Sequence, residues 1–461
     1  MMVILVLYLL AVIGVGVWSR RRAESQDGFF VADRKGSTLL ITGSLLATIV
    51  GGSATVGVAG LGFQLGLTGA WWLLAGGIGL LVLGFFARRV RGTALYTLPE
   101  LLERQYDHRV GLASSILIVV AWTGVVAGQI VAAGRVLSVL GLGSPVLWMV
   151  VFTAVLVVYA ILGGQYSVIR TDFIQAVILL VGILLALAIV SSLAGGLAGL
   201  KDSLPEDYFS FPLSAGFSWK SLLSFLILVG ATYVVGPDIY TRLFCARDGT
   251  VARRAVLVTS FFVFLFAFAV ALIGMSARVL VPDIPAEQAL PEVIGQFMPP
   301  GLDGLVLVAL VAALMSSADT CLLSQSVILT QDVLKRLRLI GEGKTLLVTR
   351  MCMAILGLVA LGLAMTLKGV ISSLLFAYTV FTCGLVVPVI AGFYKERLKV
   401  APQGALAAVV GGGAIGLLGR IPGLDIPLKE DLGLVGFAVG AMLLFGVSFL
   451  VRRGKPGDPV L

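Results

Sequence analysis

The chain has 461 residues, 59% of them hydrophobic and only 12% charged, and a formal charge of +9. A soluble globular protein carries about 45–50% apolar and about 25% charged residues, so the composition excludes that class and points to the lipid bilayer as solvent. The basic residues are confined to short connectors between apolar runs, which makes the excess topological, and no nucleic-acid partner is expected. The four cysteines (Cys245, Cys321, Cys352, Cys383) show no paired spacing and the single histidine, His108, lies in a charged connector. Zinc, disulfide and histidine-based catalytic centres are therefore not expected.

A helical crossing needs about 20 apolar residues. On that measure the sequence predicts thirteen membrane helices, at 2–18, 37–63, 70–87, 110–140, 145–163, 170–195, 218–241, 254–280, 302–333, 346–366, 371–393, 402–420 and 432–451. The first run is followed by Ser-Arg-Arg-Arg, the reverse of the charge order of a signal peptide, and is read as a retained span. The connectors are too short for an inserted soluble domain, so 1–461 reads as one transmembrane domain. Counted over alternating connectors, 26 of the 33 Lys and Arg residues fall on one side, Arg242 among them, and 6 on the other, with Arg135 inside a span. Positive residues stay in the cytoplasm, so the N-terminus is expected outside and the C-terminus inside, with an odd number of crossings.

Three spans carry unusual residues. In the second, Gly51-Gly52-Ser53 sits at mid-depth, where paired glycines either break the helix or allow close packing through small residues. In the seventh, Gly236-Pro237-Asp238 removes a backbone donor and clashes with the preceding turn; a simple proline kink is the alternative to a break. Two interrupted spans running in opposite directions point to an inverted-repeat transporter with a central site. In the ninth, Ala313, Ser316, Ser317 and Thr320 recur at i, i+3, i+4 and i+7 and share one helical face. Asp319 adds a carboxylate that costs roughly 2.5–3.5 kcal/mol on insertion scales. Hard oxygen ligands in an apolar surround suit a small cation, although membrane serines also bond back to the preceding turn.

Other polar positions stay open. Asp172 either favours a helix N-terminus beside Arg170 or faces the Ser316–Thr320 strip. Arg135 either snorkels to the outer interface or clamps a substrate carboxylate through its planar fork. Trp122 and Tyr233 either pack in the bundle or stack on substrate.

Ala-Ala-Leu-Met-Ser-Ser-Ala-Asp-Thr, ending at Thr320 and followed by Ser326 to Asp332, resembles the eighth core helix of the sodium:solute symporter family. Thr171-Asp172-Phe173-Ile174-Gln175 resembles its fifth, and Gly236-Pro237-Asp238-Ile239 with Arg242 its sixth, in the style of the proline and pantothenate branch. The resemblance implies an all-α membrane protein of the leucine-transporter type. Its five-plus-five inverted core would comprise 37–195 and 218–393, with one extra helix before it (2–18) and two after it (402–451).

The resemblance also implies a sodium site formed by the carbonyls of Ala47, Val50 and Ala313 and the hydroxyls of Ser316 and Ser317. A second site in some members would fall on Asp172, Ser316, Asp319 and Thr320, where Asp319 departs from the usual hydroxyl and binds either sodium or a proton. Substrate would lie against Gly51, Gly52, Ser53, Thr55, Thr232 and Tyr233, with Trp122 and Arg135 as further candidates. Ser53 and Ala54 are too small and apolar for a hexose, which leaves a carboxylate, an amino acid or a related metabolite. The expected function is sodium-coupled import of such a small molecule across the plasma (inner) membrane by alternating access, for which a monomer suffices. Proton coupling on the same fold, and a membrane sensor that binds without transport, are the alternatives. No converging acid, base and nucleophile suggests an enzyme, and no repeated pore loop suggests a channel.

Overall fold

Inside a bilayer every backbone amide and carbonyl must find a partner within the protein, and this sequence meets that demand with helices. The computed structural model describes residues 2–19, 25–141, 143–367, 369–419 and 431–453, the side chains of Ser53 and Glu342 excepted. Among the described residues β-structure is limited to two isolated bridges, Gly36 with Ala246 and Ser214 with Phe217. The basic residues Arg20, Arg21, Arg22, Lys368, Arg420, Lys429 and Lys455 lie outside the described residues.

The helices that build the core are α1 (Met2–Ser19), α2 (Thr38–Ile49), α3 (Gly52–Leu65), α4 (Trp71–Gly92), α5 (His108–Ser138), α6 (Pro145–Leu193), α7 (Ala231–Val235), α8 (Pro237–Cys245), α9 (Gly249–Leu280), α10 (Leu302–Ile328), α11 (Thr345–Leu367), α12 (Val370–Phe381) and α13 (Leu432–Arg453). Ten helical stretches among the described residues are long and apolar enough to cross a membrane, with two shorter ones at Thr38–Ile49 and Pro402–Leu418. The difference from thirteen sequence runs arises in three places. The run at 37–63 is split into α2 and α3, the run at 402–420 is a short helix, and the runs at 145–163 and 170–195 join without a loop as two helical segments of the 49-residue stretch α6. The two halves of α6 are not one rod: the Tyr159 and Thr171 hydroxyls lie 2.6 Å apart, so the chain folds back between them. Gly164, at φ 53° and ψ −162°, interrupts it between the two apolar runs.

Burial sets the order of the layers. In α1 and α13 only 22% of the most apolar window is buried, against 94% in Leu302–Lys335. Exposed Leu7, Phe85, Val359 and Met442 turn outward from the outer helices, the apolar surface a lipid-facing side requires. α10 is thus the axis of the molecule, packed chiefly against α5 and α6, and its polar face has only protein to satisfy it.

Both interruptions are present. α2 ends at Ile49, Gly51 is extended at ψ 161°, and α3 starts at Gly52. The Thr55 hydroxyl donates to the freed carbonyl of Val50 (2.8 Å) and also lies 3.1 Å from Gly51 O, which accepts the Thr55 amide at 2.9 Å. A Cβ on Gly51 would lie 1.7 Å from Ser317 Oγ, and one on Gly52 2.2 Å from Leu314 Cγ. The same glycines therefore break the helix and admit α10, so the two sequence readings are not alternatives. In the second case α7 ends at Val235, Gly236 turns at ψ 131°, and Pro237 opens α8. At a helix's first position the missing proline amide costs nothing, so Pro237 starts a helix rather than kinking one.

The crossing of α3 and α9 is the tightest test of this packing. A Cβ on Gly274 would lie 2.0 Å from the Ala59 carbonyl oxygen, whereas one on Gly446 would meet nothing within 4 Å. Gly274→Ala should cost about 1–3 kcal/mol through overpacking and lower the midpoint of thermal unfolding in detergent. Gly446→Ala, at an open helical position, should leave it unchanged or raise it.

Candidate ion and substrate site

The polar face of α10 meets the end of α2. Ser316 Oγ lies 2.9 Å from both the Ala47 and the Ala313 carbonyl oxygens. Ser317 Oγ lies 2.8 Å from Thr48 O and 3.2 Å from Ala313 O. All of these residues are buried. Ala47, Ala313, Ser316 and Ser317 are thus brought together, and the Thr48 carbonyl, which periodicity did not suggest, joins them. The Val50 carbonyl accepts the Thr55 hydroxyl and keeps one lone pair for another partner. Carbonyl and hydroxyl oxygens without a formal charge form a donor set for a hard monovalent cation.

One turn further along α10 the arrangement differs from the expected second ion site. The fully buried Arg242 guanidinium pairs with Asp172 Oδ2 at 2.9 Å, donates from Nε to Ser44 Oγ at 3.0 Å, and bonds the Thr320 hydroxyl. Ser44 in turn donates to Asp172 Oδ2 at 2.5 Å. Among Asp172, Ser316, Asp319 and Thr320, a guanidinium therefore stands where a second sodium ion was expected. This also corrects the connector count, which placed Arg242 in a cytoplasmic loop. Arg170 is not the partner of Asp172; it lies 3.8 Å over the ring of Tyr166. The physical reason is that a lone buried carboxylate loses far more solvation than it recovers, and a guanidinium with several acceptors offsets that loss. Asp319 keeps one oxygen near the Thr320 hydroxyl (3.2 Å), while Asp319 Oδ2, Asp172 Oδ1 and Arg242 Nη1 have no hydrogen-bond partner.

Beside the oxygen cluster lies a cavity of roughly 30 Å³ that shares Thr48 and Ser317 with it. A buried water needs about 10–15 Å³ on the same measure, so the space is about two waters in size. Trp122, Thr232 and Tyr233 line it as the sequence suggested, and Gln129, Asp238 and Tyr378 line it without having been anticipated. Trp122 also packs edge-on against Phe381 at 4.6 Å. The visible signal for Asp238 was a carboxylate directly after a helix-breaking proline.

Four expected substrate contacts are elsewhere. Gly51 and Gly52 face α10, and the Thr55 hydroxyl is spent on the broken backbone. Arg135 pairs with Glu287 at 2.8 Å. The Glu287 carboxylate also accepts from the backbone amides of Val370 and Ile371, so the pair ties α5 to the start of α12. The side chain of Ser53 lies outside the described residues.

The description "Sodium:solute symporter family" matches residues 29–412. A sodium/glucose cotransporter of Vibrio parahaemolyticus is 24% identical over 92% of this chain and 86% of its own length. The sodium/myo-inositol cotransporter 2 of Mus musculus is 28% identical over 73% of this chain, which spans 56% of that protein. Among solved structures, a Na⁺-coupled sialic acid symporter in a substrate-bound outward-open state superposes with a TM-score of 0.82 at 20% identity, covering 97% of each chain. The fold is shared with that symporter.

The buried pair predicts a specific mutational pattern. Arg242→Gln alone leaves Asp172 without its counter-charge and should destabilise the protein by about 3–5 kcal/mol. Combining it with Asp172→Asn should recover a large part of that loss. A double-mutant cycle on thermal unfolding measures the coupling directly, and additive effects would show that the pair is not formed.

Proposed function

This chain belongs to the sodium:solute symporter family, and from that premise we propose that it is a sodium-coupled symporter importing a small organic solute by alternating access. The family is one of transporters and not of enzymes. The observation that carries the reading is the meeting of the Ser316 and Ser317 hydroxyls with the carbonyls at the end of α2. In this reading the ion is held by the carbonyls of Ala47, Val50 and Ala313 and by the two serine hydroxyls. It bridges α2 and α10 and favours the arrangement that receives solute. Closure then opens both ligands to the cytoplasm, where low sodium and the inside-negative potential release them. One charge moving through 100 mV supplies about 2.3 kcal/mol, enough for roughly a fifty-fold gradient.

The reading assigns one sodium ion per cycle, because Arg242 already neutralises Asp172 at the other candidate position. Taking α6 as two crossings that meet at Gly164, and α2–α3 and Pro402–Leu418 as one each, gives thirteen crossings. They divide into repeats at 37–195 and 218–393, with α1 before them and two helices after. The distribution of Lys and Arg supports an external N-terminus and a cytoplasmic C-terminus in the plasma (inner) membrane. The solute is a carboxylate, an amino acid or a related metabolite, for which the cavity between α5 and α8, about two waters in size here, widens during the cycle, and a monomer suffices.

Sodium should stabilise the purified protein against thermal unfolding where equal potassium does not, because a ligand of the folded state shifts its equilibrium. Ser316→Ala and Ser317→Ala should each raise the half-saturating sodium concentration about tenfold or more, since each removes one of the few ligands of the ion. An identical response to both cations, or unchanged sodium dependence in both variants, contradicts the assignment. Stabilisation that depends on pH at constant sodium, and not on sodium at constant pH, is the outcome for proton coupling.

A further inference from the structure

The wall of the central cavity carries one carboxylate. Asp238 lines the cavity at the start of α8, and it forms no ion pair among the described residues. Its carboxylate meets Arg242, one helical turn on, the backbone amides of Asp238 and Ile239 at the start of α8, and the indole of Trp122. Arg242 is committed to Asp172, Ser44 and Thr320. No Lys, Arg or His lines the cavity.

The rest of the wall fits a cation better than an anion or a polyol. Trp122, Tyr233 and Tyr378 line it, the last two at 6.2 Å and edge to face. Aromatic faces attract ammonium groups through the ring quadrupole. Thr232, the wall hydroxyl best placed to bind a sugar, is bonded to Leu228 O and to Thr382 Oγ1, each at 2.7 Å. A carboxylate-only solute would bring like charge to Asp238, and the Thr232 hydroxyl is already bonded and not free for a polyol.

Asp172 and Arg242 already form a closed pair, which leaves Asp238 as the cavity carboxylate without a counter-ion among the described residues. We propose that the solute carries that counter-charge: the site takes an amine or quaternary ammonium compound, a cation or zwitterion, with Asp238 as its counter-ion and Trp122, Tyr233 and Tyr378 around it. This assignment of solute class rests on the symporter reading and deepens it.

The test is a thermal-unfolding titration of the full chain in detergent at saturating sodium chloride. The probes are choline, glycine betaine and L-alanine, set against acetate, glucose and myo-inositol. At least one of the first three should raise the midpoint and none of the last three should. Asp238→Asn should weaken the response to that probe about tenfold or more, and Asp238→Glu, which keeps the charge, should retain most of it. Sodium alone should stabilise Asp238→Asn as it does the parent chain, which shows that the variant is folded and tests the sodium reading separately. Stabilisation by glucose, myo-inositol or acetate, by none of the amines, or by an amine with equal affinity in Asp238→Asn, overturns the proposal.

Discussion

The contact between the broken end of α2 and the polar face of α10 is the interaction on which the rest of the structure depends. A helix interrupted at membrane depth frees carbonyls that water cannot reach. Here two solutions act together: Thr55 folds back on Val50 and Gly51, and Ser316 and Ser317 reach across to Ala47 and Thr48. The glycines at 51 and 52 make the approach possible, because any side chain there would meet Ser317 or Leu314. The same geometry that satisfies the backbone leaves a ring of neutral oxygens. A cation bound there, as proposed, would exchange the serine–carbonyl hydrogen bonds for its own contacts with the same oxygens.

The second constraint is charge. A buried guanidinium survives only with its acceptors in place, and Arg242 joins α2, α6, α8 and α10 through Ser44, Asp172 and Thr320. The elements that would have to move against one another during transport thus share a single hub. In the proposed cycle the hub supplies from the protein a charge that a second ion would otherwise bring. Asp238 lies one turn from Arg242 on the cavity side, where the proposed solute would meet it.

What was legible in the sequence was local. The breaks at Gly51 and Gly236 follow from glycine and proline chemistry, and the face of Ser316 and Ser317 from helical spacing. The axial place of α10 follows from polar residues that need protein around them. What was not legible depends on pairs far apart in the chain. Asp172 and Arg242 are separated by 70 positions, and the count of connector charges gave Arg242 to a loop because it lies near the end of an apolar run. Arg135 was read either as snorkelling to the outer interface or as a clamp for a substrate carboxylate, and its partner Glu287 lies in another connector. Thr55 was assigned to substrate because a hydroxyl near a break suits either role, and only the distances to Val50 and Gly51 decide between them.

The most direct measurement of the central claim is the number of sodium ions bound per chain, by equilibrium binding of radioactive sodium to the purified protein. The account predicts one saturable site, present in the parent chain and lost when Ser316 and Ser317 are both replaced by alanine. No saturable binding, a second equivalent site, or a site that survives the double replacement would contradict it.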